Sequence, residues 1–152
     1  MAETSNLGLQ KINSSDFVSP DPINNNMDKL DKLGVDYIIE QGKSGEWWYR
    51  KWKSGRAECG VDNKHFGAST LVDMGNIWQS SENFTFGAYP FAFKSAPFVS
   101  ITHSMQNSTW YGIISSGPGS PTTLSPYVNL WRHNHVDIND AILSIFVTGF
   151  YK

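Results

Sequence analysis

The chain has 152 residues, with 12 Lys and Arg against 14 Asp and Glu, for a formal net charge of −2. One compact domain with a short appendage fits that length. The near-neutral balance, without a basic run or stripe, gives nucleic-acid binding no electrostatic support.

Aromatics make up 14% of the chain and charged residues only 17%, below the usual share of about a quarter. Together with many Gly, Ser, Thr and Asn residues, this favours β structure and loops over helical bundles. A single cysteine, Cys59, excludes an intramolecular disulfide and argues against a zinc cluster within one chain. The opening MAETSNLGLQK lacks the basic-then-apolar pattern of a signal peptide, and no apolar run is long enough to span a membrane. Synthesis in a cytoplasm is expected. The Asn-x-Ser/Thr triplets at Asn13, Asn83 and Asn107 then read as loop composition.

In chain order, residues 1–20 read as a polar, extended arm. Asp21 before Pro22 is a helix start, because Asp caps free amides and Pro suits the first helical position. The apolar positions Ile23, Met27, Leu30 and Leu33 recur at helical spacing until Gly34 stops the run. A helix this short with one narrow stripe is marginal alone. Its stripe has two possible partners, the chain's own domain or two further copies in a three-chain bundle. The arm and helix, 1–34, are separated from a domain at 35–152.

Beyond Gly34 the period becomes alternating. Strands are expected at 35–40, at Glu46–Trp52 after a turn at Gly42–Gly45, and at Arg56–Val61 after a tight Lys53-Ser54-Gly55 turn. Further strands are expected at 66–74, 83–88, 97–105, 109–115, 126–132 and 141–151. Breaks fall at Ser115–Pro121 and Asn134–Asp140. Short strands spaced this closely predict an all-β fold, an antiparallel β-sandwich. Strand alternation puts Trp48 and Trp52 on one face with Arg50 between them, and Trp47 and Tyr49 on the other. Such a cluster suits a sandwich or subunit-interface core, or a platform that stacks on sugars.

Three stretches together resemble fibre proteins of tailed bacteriophages, in particular the C-terminal knobs of tail fibres and the short tail or head fibres of phages of Gram-positive bacteria. They are Tyr37–Gly42 with Trp48–Cys59, Tyr89-Pro90-Phe91-Ala92-Phe93 running to Thr102, and the closing strand Ile142–Lys152. Leu7-Gly8-Leu9 and Asn24–Leu33 are similar to the arm and helix that precede such knobs. The resemblance implies a homotrimeric β-sandwich knob on the virion surface, held to other virion proteins by the N-terminal arm and serving virion architecture or host attachment. Shaft repeats are absent, which favours a short fibre, a baseplate component, or a head fibre or capsid decoration protein. A free carbohydrate-binding module and a small hydrolase are the rival classes.

Recognition of a host glycan or protein is expected at strand-end loops, at Trp110, Tyr111, Ser116 and Thr122. The virion anchor and trimer contact falls to Ile23, Met27, Leu30 and Leu33. Cys59 with His65 lacks a positioned third group, and no carboxylate pair has a glycosidase context, so no catalytic residue and no cofactor are assigned. His133 and His135 would share one face of a strand, and three copies could bring six imidazoles to one metal. The polar neighbours Arg132, Asn134, Asp137 and Asn139 instead mark an exposed loop, and no metal site is assigned.

Overall fold

A computed structural model describes residues 21–32, 36–103, 111–117 and 120–152. The chain divides into two compact units between Tyr37 and Ile38. The first contains the helix α1, Asp21–Lys32, on which Ile23 and Met27 are exposed.

The second unit is all-β, with strands β1 Ile38–Ser44, β2 Trp47–Trp52, β3 Arg56–His65, β4 Leu71–Asp73, β5 Trp78–Ser80, β6 Phe84–Thr85, β7 Phe98–His103, β8 Gly112–Ser116, β9 Tyr127–Arg132 and β10 Ile142–Phe150. They form two antiparallel sheets. Sheet A has the order β1-β2-β3-β10-β7. In sheet B, β9 is central: β5 and β6 pair with successive parts of one edge, β8 with the other, and β4 continues beyond β5.

The two sheets share one core, as a sandwich does. Sheet A contributes Ala57, Cys59 and Val61 from β3 and Leu143, Ile145 and Val147 from β10. Sheet B contributes Leu71, Phe84, Val128 and Leu130. The period-2 alternation of these positions follows from the pleat, which sends successive side chains to opposite faces. An aromatic seam closes the layer, with Trp47 edge-on to Tyr89 at 5.5 Å and Phe66 edge-on to Phe86 at 5.3 Å.

Local chemistry sets the hairpins. Gly45, at φ 60°, opens a two-residue turn from β1 to β2, and Gly55, at φ 89°, closes the three-residue turn from β2 to β3. The first turn is therefore shorter and later than the Gly42–Gly45 reading, because Gly42, Lys43 and Ser44 still pair with β2. β3 runs past Val61 to His65 by means of a bulge at Asn63, whose φ of 49° suits asparagine better than other non-glycine residues. Its amide donates to Ser144 Oγ at 2.8 Å.

Several expected strands are shorter than their sequence pattern. Between residues 66 and 74 only Leu71–Asp73 forms a strand, with an isolated bridge from Ser69 to Ile138. The strand Trp78–Ser80 was not expected. Tyr89–Phe93 is irregular, not a strand: the Tyr89 and Phe93 amides donate to the carbonyls of Thr123 and Thr122, while both rings turn into the core.

Candidate functional surfaces

The outer face of sheet A follows from its register. Trp48 pairs with Gly60 and Gly60 with Phe146, and one row along Arg50 pairs with Glu58 and Thr148 with Phe98. The next row brings Ile38 beside Trp52 and Phe150 beside Arg56. Trp48 and Trp52 thus share the outer face with Arg50, while Trp47 and Tyr49 face the core.

Trp48 lies across Gly60, and its ring centroid is 6.0 Å from that of Phe146. Phe98 is 67% exposed and Phe150 55%. The indoles carry guanidinium groups, with Arg50 5.8 Å from the Trp48 centroid and Arg56 5.4 Å from that of Trp52. Arg50 also pairs with Glu58 at 3.7 Å. Tryptophan, phenylalanine and arginine on a flat strand face are the residues enriched at protein–protein contacts.

At the inward end of the same strands a lysine is caged by aromatics. Lys51 Nζ stands 5.1 to 5.5 Å from the ring centroids of Phe91, Tyr151 and Tyr49. It also donates to Glu40 at 2.9 Å. That hydrogen bond, with a second from the Tyr49 hydroxyl, holds the Glu40 carboxyl below its ordinary range.

A cleft of about 370 Å³ opens where the edges β7 and β8 stand apart. Val99, Ile101, Ile113 and Ser115 line its walls, and Pro121 and Leu124 its rim.

Of the expected recognition residues, Tyr111 and Thr122 lie wholly among the described residues. Trp110 lies outside the described residues. Tyr111, directly before β8, is 8% exposed, so its ring is part of the core and not of an exposed loop. Thr122 is half-buried in a turn between two residues of the cleft rim, and its carbonyl accepts the Phe93 amide. Ser116 ends β8, with its side chain outside the described part. Of the anchor residues, Ile23 is 50% and Met27 62% exposed. Leu33 and the side chain of Leu30 lie outside the described residues, as does the arm.

β9 ends at Arg132, so His133 and His135 do not share a strand face. His135 stacks on Trp78, 4.0 Å between ring centroids, and His133 lines a small cavity beside Trp131. Cys59 is fully buried, and burial pushes its thiol up to about 12. His65 pairs through Nδ1 with Asp140 at 2.7 Å. Among the described residues no helix is long and apolar enough to cross a membrane.

Sequence reasoning identified the Trp48–Trp52 face but missed its other half. Phe98, Phe146 and Phe150 belong to strands far away in sequence, and only the sheet order brings them together. No family model matches the chain, and no curated protein or solved structure matches it either.

Proposed function

We propose that the chain is a structural protein of a tailed bacteriophage, a trimeric β-sandwich knob displayed on the virion surface and acting in host attachment. The observation that carries this reading is the aromatic outer face of sheet A, where Phe98, Phe146, Phe150 and Ile38 are exposed in a single chain. Monomers rarely expose a contiguous apolar patch above a few hundred Å². Association of three copies through this face would cover it and bury the Trp–Arg stacks with it.

The helix supports the same reading. Ile23 and Met27 form an exposed apolar stripe on a separate unit, suited to a three-chain bundle that mounts the knob through the N-terminal arm. The role is architectural and adhesive, without catalysis. The Cys59 thiol, the one candidate nucleophile raised by the sequence, is buried and protonated at neutral pH. A head fibre or capsid decoration protein is the same device mounted elsewhere on the particle.

The test is location. Antibody labelling of purified particles carrying this protein should mark their surface, and deletion of residues 1–34 should abolish incorporation. Particles without the chain would refute the proposal.

A further inference from the structure

We infer that the outer face of sheet B is a binding site for uncharged oligosaccharides, centred on Trp131 and Tyr127. The inference rests on the attachment reading for its biological setting, but its chemistry stands on the face itself.

β9 alternates cleanly. Val128, Leu130 and Arg132 turn inward and are buried, so Tyr127, Asn129 and Trp131 turn outward. Trp131 pairs across the sheet with Gly112 and with Gln79. Its indole fills the space above Gly112 so closely that a Cβ at residue 112 would collide with the ring. The Nε1–Cε2–Cζ2 edge of the ring therefore covers Gly112, and the half-buried indole keeps part of its surface outward. Tyr127, 42% exposed, stands four residues back on the same strand, or about 13 Å at about 3.3 Å per residue. A single sugar cannot bridge that distance, but an oligosaccharide can.

The difference from sheet A decides which partner each face takes. Trp48 and Trp52 are stacked on by Arg50 and Arg56. Among the described residues no arginine or lysine stacks on Trp131, and a π-surface without a guanidinium over it suits the C–H face of a pyranose ring. Asn129 stands between the two aromatic rings and Gln79 beside Trp131 on the next strand, and both amides can donate to and accept from sugar hydroxyls. Asn129 already donates from Nδ2 to the Glu82 carbonyl at 3.3 Å, which fixes its orientation. The outward positions Gln79, Tyr127, Asn129 and Trp131 carry no charge, and the exposed Glu82 lies beside Asn129, which disfavours an anionic ligand.

The face ends in a cavity of about 240 Å³, lined by Tyr111, Gly112, Trp131, Arg132 and His133. Tyr111 and Arg132 are each 8% exposed. Among the described residues Arg132 Nε has no hydrogen-bond partner, although Arg132 Nη1 donates to the Val136 carbonyl at 2.6 Å, and the Tyr111 hydroxyl lies against the Ile142 backbone. Buried polar atoms normally find partners. One buried donor of a residue lining the cavity, Arg132 Nε, is thus left unused, which suits a hydroxyl-bearing group over an apolar one.

Titration calorimetry of the full chain against chitotetraose, cellotetraose and maltotetraose, their monosaccharides, and polygalacturonate tests the site. At least one neutral tetrasaccharide should bind, at least tenfold more tightly than its monosaccharide. Trp131→Ala should weaken binding tenfold or more, Gln79→Ala several-fold, and Lys94→Ala, at an exposed bend outside both faces, should leave it unchanged. Molar mass is recorded for each variant, so a failure of self-association is seen separately from a failure of sugar binding. Gln79→Ala removes only a surface amide and keeps the test valid should Trp131→Ala misfold. No binding by the whole panel, binding of polygalacturonate alone, or binding indifferent to Trp131 and Gln79 would each overturn the site.

Discussion

The indole of Trp48 lies across Gly60 of the neighbouring strand, where a Cβ at residue 60 would come within 2.7 Å of both the ring and the Ile145 carbonyl oxygen. The clash with the carbonyl cannot be relieved by a side-chain rotation, because that oxygen belongs to the backbone of β10, an interior strand paired on both sides. Gly60→Ala should therefore destabilise the chain by about 1–3 kcal/mol, the usual cost of overpacking. Urea unfolding of the two proteins measures the difference. An unchanged midpoint would show that Trp48 is not seated on Gly60.

The outer face of sheet A should carry self-association. Phe98 and Phe150 are more than half exposed and contribute little to the core, so charging them should leave the fold intact. Phe98→Lys with Phe150→Lys should shift the mass in solution toward the single chain while the far-ultraviolet dichroism stays the same. The double substitution Met27→Asp and Leu30→Asp tests the helix stripe in the same way. Unchanged mass in both double variants would place the contact elsewhere.

Burial raises the Cys59 thiol from 9.0 to about 12 and the Tyr89 hydroxyl from 10.0 to about 12. The native protein should resist a thiol reagent at pH 8 and react fully once unfolded. Both groups ionise more readily in the unfolded chain, so their contribution is intact below about pH 9 and is lost as pH rises toward 12. Cys59→Ala should flatten the alkaline fall in stability. A native thiol that labels rapidly at pH 8 would contradict its burial.

Glu40 has the opposite sign. Its carboxyl is held low by the hydrogen bond from Lys51 and then by that from Tyr49. Its contribution is therefore present above the unfolded value near 4.5 and is lost as pH falls through the lower folded value. Glu40→Gln should reduce the acid-side loss of stability without altering the alkaline side. Identical acid profiles for both proteins would show that the Lys51 cage does not depend on this carboxylate.

Much of sheet A was legible because its signals are local. The Lys53-Ser54-Gly55 turn and the alternation of Trp47 to Trp52 are set by neighbouring residues, and the register agrees with both. Sheet B was harder, because β4, β5 and β6 are two or three residues long, too short to show a period. Buried serines stabilise these short pieces instead: Ser80 Oγ accepts the Leu130 amide and Ser125 Oγ the Phe86 amide, contacts 50 and 39 residues apart. The binding surfaces were only half visible for the same reason. Trp48 and Trp52 advertise themselves in one strand, whereas the partners of Trp131 are Gly112 and Gln79, and neither glycine nor glutamine carries a signal until the sheet places it. Tyr111 misled because a tyrosine at a strand end can equally well be core.

Light scattering of the purified full chain tests the proposed association of three copies. One chain has a mass of 17.0 kDa. Three associated copies give a mass three times that value, constant across micromolar concentrations; a stable species with the mass of one chain would overturn the trimer.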